Sequence, residues 1–272
     1  MMSVMDKIQS SRLLRGLAHK GTMFLGARYP ETFPMVYVLG FPKSGTTWVC
    51  QLVADSLKLP FPQFALLPHT FSTIVHGHDL PKHAYTPLVY VARDGRDVAV
   101  SMFHFELRKL LPNSPKKLRK SLRNIFPKEM PSPEEKMKYF QPFLELYLDS
   151  PPASPVSWSK HIHSFLEQKS PKQSLVLYEK LLSSGVEELS QCIETISGEE
   201  ADSTSIQATL EKFSFNRMHS KSELGAPLRK GISGDWKEHF TKENAQLFQD
   251  VAGDMLIALG YEENASWTDS VS

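Results

Sequence analysis

The sequence predicts an α/β fold, P-loop-like and three-layered (α/β/α), with a central parallel sheet. Two observations predict it. A short apolar run, a loop and a helical segment follow one another three times along the chain. The first loop also places two glycines and a lysine between its strand and its helix, which is typical of phosphate-binding turns.

The first repeat supplies the clearest strand and helix. Its strand is Met35–Leu39 and ends in Gly40, and the loop Phe41–Gly45 follows. The helix is predicted over Thr46–Leu57, where apolar residues recur at spacings of three and four.

The second and third repeats have the same order. Leu88–Ala92 is the second strand, and a helix is predicted from Asp97 to about Leu107 with Asp97 as its cap. Ser174–Tyr178 is the third strand, followed by a helical segment from Glu179.

Composition narrows the class of protein. The 272 residues carry 31 Lys+Arg against 30 Asp+Glu and are 41% hydrophobic, which excludes a disordered chain. A net charge of +1 also argues against a nucleic-acid partner. Cys50 and Cys192 cannot form a disulfide framework, so we expect a reducing, cytoplasmic location.

We expect a single domain over residues 1–272, with 1–33 as an N-terminal helical extension and 112–155 as a variable acceptor-side segment. Residues 8–25 form either a helix packed on the domain, which we favour, or an amphipathic helix at a membrane surface or in a transit peptide. The basic run between 116 and 123 either binds an anionic polymer or forms a solvated face, the more usual case. We expect no membrane span, since no apolar stretch approaches about 20 residues.

The first loop, GFPKSGTT at 40–47, differs from a nucleoside triphosphate P-loop. That loop has lysine directly after its second glycine, whereas here Thr46 takes this place and Lys43 lies inside the loop. The N–H groups at the start of a helix, three hydroxyls and one lysine still suit an anion. A plain strand-to-helix turn, the alternative, would not need all of these groups together.

A second anion site is predicted after the second strand. Arg93 follows that strand, Ser101 lies eight residues on, and an Arg-Lys-Gly run ends at Gly231. Two cationic groups and a hydroxyl suggest a phosphate bound without metal. Asp94 and Asp97 remain alternatives as Mg²⁺ ligands, which a kinase would need.

Three segments together resemble the cytosolic sulfotransferase family: PKSGTTW at 42–48, RDGRDVAVS at 93–101 and RKGISGDWK at 229–237. They fall in the family's order, and the resemblance spans 35–261. It implies sulfuryl transfer from 3′-phosphoadenosine 5′-phosphosulfate (PAPS) to a hydroxyl or amine of a small, lipophilic acceptor, with no metal required. The competing functions are a P-loop kinase or nucleotide hydrolase, and a non-catalytic nucleotide-binding relative.

The resemblance also assigns residues to the cofactor. The 5′-phosphosulfate is held by Lys43, Ser44, Gly45, Thr46 and Thr47. The 3′-phosphate is bound by Arg93, Ser101, Arg229, Lys230 and Gly231. The adenine is contacted by Trp48, Tyr178 and Phe215, although core packing is as good an interpretation for Phe215.

On the acceptor side, the resemblance aligns His78 with the family's general base, and Lys43 stabilises the bridging oxygen of the leaving nucleotide. His76 stands where a lysine is common and is a competing base. Alternatively, these are loop residues, or they bind a metal together with His69 and His83.

The sequence leaves alternatives for the acceptor pocket and for the oligomeric state. Aromatic residues line a pocket for a phenol, sterol or other lipophilic alcohol, or they belong to the core: Phe61, Phe64, Phe71, Phe103, Phe105, Phe140 and Phe143. The family's small dimer contact is altered, because Lys242 follows Thr241 where an apolar residue is usual and Gln246 replaces a glutamate. A homodimer is therefore left open.

Overall fold

The structure, a computed structural model, describes residues 12–271 except 64, 112–113, 115–117, 215–216 and 218–230. Three predicted cofactor residues, Phe215, Arg229 and Lys230, lie outside the described residues, as does Phe64. The start of the predicted N-terminal helix and Lys116 and Lys117 of the basic run also lie outside them.

The strands are β1 (Met35–Gly40), β2 (Thr73–Gly77), β3 (Leu88–Ala92) and β4 (Gln173–Leu177). The α-helices are α1 (Arg12–Arg28), α2 (Thr46–Leu57), α3 (Gly95–Leu107), α4 (Phe140–Asp149), α5 (Trp158–Leu166), α6 (Tyr178–Ser183), α7 (Gly185–Ser197), α8 (Ser203–Lys212) and α9 (Lys242–Ala258). Short 3₁₀ helices cover Arg108–Leu110, Lys120–Leu122, Lys136–Tyr139, Asp235–Glu238 and Ala265–Ser270. Among the described helices, none has the length and apolar character needed to cross a membrane.

The strands form one sheet in the order β2-β1-β3-β4. β1 pairs in parallel with β2 and with β3, and Tyr37 lies opposite Val75 on one side and Leu88 on the other. All six residues of β1 are buried, as its continuous apolar sequence predicts. The strand order reverses at β1, and in open α/β sheets ligands bind beyond the carboxyl ends of strands at such a point.

The described chain divides into two compact units, the first built from residues up to 40, 45–91 and 167–217. Its core is largely aliphatic and lies around β1, α2 and α7, with Val38, Val49 and Leu189 fully buried. Burial of such side chains contributes about 1.5–3 kcal/mol each. The expectation of a single domain over 1–272 stays a prediction.

The second unit contains residues 41–44, 92–166 and those after 217. Its core is aromatic: the Phe103 ring lies edge-on to Phe140 at 5.2 Å, and Phe126 stacks on Phe143 at 5.9 Å. Phe103, Phe140 and Phe143 are all at most 1% exposed. Of the two interpretations of these three residues, core packing is the one the structure supports.

The predicted bounds of β4 and α3 and one predicted role are wrong. β4 ends at Leu177, and Tyr178 begins α6 instead of ending the strand. α3 begins at Gly95 and is capped by Asp94, whose Oδ1 accepts the N–H of Arg96 at 2.9 Å. Asp97 therefore does not cap this helix, since it already lies in its first turn. β2 was not predicted at all.

Candidate active site

The loop between β1 and α2 has an unusual backbone at two residues. Lys43 and Gly45 adopt left-handed conformations, with φ of 77° and 90°. Gly45 is the N-cap residue of α2, and no side chain caps this end of the helix among the described residues. The first N–H groups of α2 are therefore available to an anion, as the sequence predicts.

Both glycines of the loop are required by close contacts. A Cβ atom on Gly45 would lie 2.6 Å from Cδ2 of Tyr178, and one on Gly40 would lie 2.5 Å from the carbonyl oxygen of Val91. The Tyr178 ring therefore lies against the backbone of the phosphate loop. Tyr178, which is predicted to contact the adenine, therefore lies beside Gly45, which is predicted to hold the phosphosulfate.

The three hydroxyls of the loop have different environments. Ser44 is 1% exposed, and its Oγ has no hydrogen-bond partner among the described residues. Thr46 is buried and its Oγ1 lies 2.9 Å from Nε2 of His76, whereas Thr47 is exposed. A buried hydroxyl without a partner costs about 1–3 kcal/mol. The Ser44 hydroxyl is therefore placed to donate to a ligand, and its role toward the phosphosulfate stays a prediction.

Lys43 and Arg93 lie close together in the second unit. The carbonyl oxygen of Lys43 accepts from Nη1 of Arg93 at 3.4 Å. The Lys43 ammonium lies 4.6 Å from the centre of the Phe105 ring, a cation–π contact. Phe105, one of the candidate acceptor-side aromatics, is thus a neighbour of the predicted catalytic lysine.

Arg93 also contacts the third motif. Its Nη2 donates to the carbonyl oxygen of Ile232 at 3.1 Å, and Ile232 directly follows Gly231, whose φ is 64°. The structure thus brings Arg93 next to the end of the Arg-Lys-Gly run. Ser101 is half-buried in the middle of α3.

Asp97 holds the segment after Gly231 in place. Its two carboxylate oxygens accept the N–H groups of Gly234 at 2.8 Å and Trp236 at 2.9 Å. Burial raises the pKa of Asp97, against the opposing effects of Arg93 and these two N–H groups. Asp97 is therefore a positioning residue for the third motif rather than a helix cap.

The turn between β3 and α3 is held by two aromatic side chains that sequence reasoning missed. Nε1 of Trp158 donates to the carbonyl oxygen of Arg93 at 3.2 Å, and the Tyr147 hydroxyl donates to that of Gly95 at 3.1 Å. Buried Trp and Tyr usually find a partner for their polar atom, but sequence does not say which. Asp94 pairs with the buried Arg96 at 2.7 Å.

Two of the predicted adenine-side residues form an aromatic pair. The ring centres of Trp48 and Tyr178 are 5.6 Å apart with an interplanar angle of 72°. Nε1 of Trp48 donates to the carbonyl oxygen of Phe213 at 2.9 Å, which fixes the indole. The structure thus brings together Trp48, Tyr178 and the chain just before the predicted Phe215.

His78 has a defined tautomer. Its Nδ1 lies 2.7 Å from the carbonyl oxygen of Gly40, the residue at which β1 ends. A carbonyl only accepts, so Nδ1 carries the proton and Nε2 of the neutral ring carries the lone pair. This is the arrangement that a general base needs.

His76, the competing base, lies in a different environment. Its ring centre is 4.9 Å from that of His78, and its Nε2 is engaged with Thr46. Burial, with smaller contributions from His78 and His19, lowers the pKa of His76 to about 3. Such a weakly basic imidazole is a poor base near neutral pH.

A predicted alternative placed a metal on four histidines: His69, His76, His78 and His83. Within the described ranges these do not form a cluster of ligand atoms; the group that does, with its atoms within 4.8 Å of one another, is Asp235, Glu238 and His239. The hydrogen bonds of His76 and His78 give both rings other partners.

A cavity of about 240 Å³ lies within the first unit. The cavity is lined by Thr47 of α2, His76 of β2 and Phe61. Arg15 and His19 of α1 also line the cavity. His78 is not among the lining residues, and Phe71 is 50% exposed elsewhere. The cavity thus reaches the start of α2, where the phosphate loop ends.

Comparison with known proteins identifies a family to which the chain is similar. The family model described as the Sulfotransferase domain matches residues 63–260, more than half of the chain. An amine sulfotransferase from Oryctolagus cuniculus is 27% identical over 256 residues, covering 78% of this chain and 77% of that protein. Sulfotransferase 2A1 of Homo sapiens is 26% identical over 264 residues, covering 81% and 85%.

Solved structures show the same fold. Mouse sulfotransferase SULT7A1, complexed with PAP, covers 97% of this chain and 95% of its own, with a TM-score of 0.62 and 19% identity. Retinol dehydratase, in complex with androsterone and inactive cofactor PAP, covers 87% and 85%, with a TM-score of 0.55 and 18% identity. The predicted α/β fold with a central parallel sheet is confirmed.

Proposed function

The chain belongs to the sulfotransferase domain family and is an enzyme of sulfuryl transfer, and from that premise we propose how it works. It moves the sulfuryl group from PAPS to a hydroxyl or amine of a small acceptor. Lys43, Ser44, Gly45 and the start of α2 hold the phosphosulfate, and Arg93 with Ser101 and the Arg-Lys-Gly run holds the 3′-phosphate.

One observation carries this proposal. The adjacent strands β1 and β3 each end in a turn suited to an anion, and His78 is anchored to the last carbonyl of β1. A donor with two separate phosphate groups needs two such turns, and transfer to an acceptor needs a base beside one of them. The buried, unpartnered hydroxyl of Ser44 supports the first turn as a ligand site.

The reaction is an in-line displacement at sulfur. The acceptor oxygen or nitrogen attacks sulfur, its proton passes to Nε2 of His78, and the bond from sulfur to the bridging oxygen breaks. Negative charge develops on that bridging oxygen, where the Lys43 ammonium stabilises it. His76 keeps the Thr46 hydroxyl in place and does not act as the base.

The proposal also covers metal dependence, the kind of partner, the cellular location and the oligomeric state. Transfer requires no metal ion, because Lys43 and Arg93 supply the positive charge. The near-neutral net charge of +1 supports a small molecule rather than a nucleic acid as the partner. The two cysteines are free and buried, which supports a cytoplasmic location. A homodimer, if formed, uses a contact other than the one altered at Lys242.

Both acceptor types have support among the relatives. The rabbit relative is named an amine sulfotransferase, and a relative from Cavia porcellus is named a 3-beta-hydroxysteroid sulfotransferase. The kinase alternative is disfavoured because Asp94 pairs with Arg96 and Asp97 binds backbone N–H groups. Neither carboxylate is placed to organise Mg²⁺ for phosphoryl transfer.

The test is sulfuryl transfer from ³⁵S-labelled PAPS to a panel of phenols, alcohols and amines. We expect metal-independent transfer by the wild type and a loss of about 10²–10⁴-fold in kcat for His78→Gln, with unchanged affinity for 3′,5′-ADP. His83→Gln, which changes an exposed histidine five residues on, is the matched control. Full activity of His78→Gln would refute the assignment of the base.

A further inference from the structure

Helix α1 of the first unit has one buried side and one side that exposes large apolar side chains. We propose that the exposed side binds the surface of an anionic lipid bilayer. The contact consists of an apolar patch with cations beside it. The patch comprises Leu13, Leu17, Phe24, Leu67 and Phe71. Binding to a bilayer in this way is independent of sulfuryl transfer.

The two sides of α1 have different environments. Thr22 is 2% exposed, and its Oγ1 accepts the backbone N–H of His69 at 2.9 Å. Leu13, Leu17 and Phe24 lie along the opposite side, because spacings of four and seven residues return to the same helix face. These three side chains are 72%, 57% and 62% exposed. α1 is therefore fixed in the fold by one side, while the other side is available to a partner.

The patch continues on a loop that packs against α1. A Cβ atom on Gly21 would lie 2.6 Å from Cγ of Pro68, so this proline lies directly on the helix. Leu67, the residue before Pro68, is 77% exposed. Phe71 is half exposed, and its ring centre lies 5.4 Å from that of His69. Single exposed apolar residues are ordinary on a protein surface, whereas five large ones on two adjoining segments indicate an interaction site.

The charge of the segment indicates the kind of partner. From 7 to 30 the sequence contains five Lys or Arg residues and no Asp or Glu. Two of these cations, Lys20 and Arg28, are exposed, and Lys20 lies on the same helix face as Leu17, three residues before it. Long cationic side chains beside an apolar patch reach the phosphate groups of a bilayer while their methylene groups stay in the apolar layer. Leu and Phe together with Lys and Arg are typical of a helix that lies on an anionic lipid surface.

A second copy of the chain fits this surface less well. A twofold contact places the same surface of each copy against itself. Lys20 and Arg28 would then face the same cations of the other copy, and α1 has no carboxylate to pair with them. Asp79, which contacts α1, is already paired with His19 at 3.1 Å. An anionic bilayer supplies the opposite charge that a second copy lacks.

The test is co-sedimentation of the full chain with two kinds of vesicle, one of phosphatidylcholine alone and one that also contains about 30% phosphatidylserine. We expect about tenfold or more tighter binding to the anionic vesicles. Raising the salt concentration from about 0.05 M to about 0.5 M should weaken this binding. Leu17→Gln with Phe24→Gln should reduce it about tenfold or more by removing the apolar contact. Lys20→Gln with Arg28→Gln should remove the preference for anionic vesicles.

The matched control is Leu182→Gln with Val251→Gln, which removes two exposed apolar side chains outside the patch and should leave vesicle binding unchanged. Melting temperatures establish that each variant is folded. Equal binding of both vesicles, or anionic binding that survives Leu17→Gln with Phe24→Gln, would overturn the inference. A lack of vesicle binding would also overturn it. In that case, a dimer in analytical ultracentrifugation that the same two substitutions abolish would identify a second copy as the partner.

Discussion

Replacing His76 by glutamine should make the stability of the protein less sensitive to acid. In the folded protein the pKa of His76 is lowered to about 3, chiefly by burial, whereas an unfolded chain has a histidine pKa of about 6.5. As the pH falls below about 6.5, His76 therefore binds a proton in the unfolded state but stays neutral in the folded state. Wild-type stability is lost over this range, down to about pH 3.

The size of the effect follows from these two values. Between pH 8 and pH 5 the unfolded chain gains almost one proton at this site, which corresponds to about 2 kcal/mol of lost stability. Glutamine cannot titrate, and its amide can still reach the Thr46 hydroxyl, which lies 2.9 Å from the imidazole. The free energy of unfolding of His76→Gln should therefore fall by about 2 kcal/mol less than that of the wild type.

Urea denaturation followed by tryptophan fluorescence at pH 8, 6.5 and 5 measures this difference. Other titrating groups contribute equally to both proteins, so the comparison isolates His76. His83→Gln, which removes an exposed histidine, should show the wild-type pH dependence. If His76→Gln and the wild type lose the same stability between pH 8 and 5, His76 is not held neutral by burial, and its exclusion as the base fails.

Three further substitutions test the site. Gly45→Ala should destabilise the protein by about 1–3 kcal/mol and weaken 3′,5′-ADP binding, because the new Cβ would lie 2.6 Å from Tyr178. Gly198→Ala is the control for backbone strain, since Gly198 also has a positive φ but has nothing within 4 Å of a Cβ. This control variant should bind 3′,5′-ADP as the wild type does. Ser44→Ala removes a buried hydroxyl without a partner, so it should leave the free protein as stable or more stable while weakening nucleotide binding several-fold in calorimetry. Asp97→Asn should lower the free energy of unfolding, measured by urea denaturation, by about 1–3 kcal/mol and should weaken 3′,5′-ADP binding. The reason is that the amide nitrogen of asparagine would face one of the two backbone N–H donors that Asp97 binds. An unchanged affinity would contradict the positioning role of Asp97.

Patterns within short stretches of the sequence predicted the strands and the helix that carry the phosphate loop. β3 has the predicted bounds, and β1 extends one residue further, to Gly40. α2 spans the predicted Thr46–Leu57, because apolar spacing and a glycine before the helix are signals within one short stretch. The likeness of three short motifs to one family then gave the donor and the reaction class.

Contacts between distant residues could not be predicted in this way. The Thr46–His76 pair joins residues 30 positions apart, and Asp97 binds Gly234, 137 positions on. Asp94 and Asp97 both have a side chain suited to a helix cap, and only the structure shows that Asp94 has the non-helical backbone that a cap needs. Nothing in the sequence indicated that Arg15 of α1 would line a cavity with Thr47. β2 was missed because His76 interrupts its short apolar run.

The central claim is that this enzyme binds a nucleotide with two separate phosphate groups, without metal. The most direct test is the melting temperature of the protein with 3′,5′-ADP, and with ATP, each with Mg²⁺ and with a chelator. At 100 times the dissociation constant, a ligand that binds only the folded state stabilises it by about 2.7 kcal/mol. The account predicts such a shift with 3′,5′-ADP in either condition and little with ATP. A shift only with ATP and Mg²⁺ would contradict it and indicate a nucleotide kinase or hydrolase.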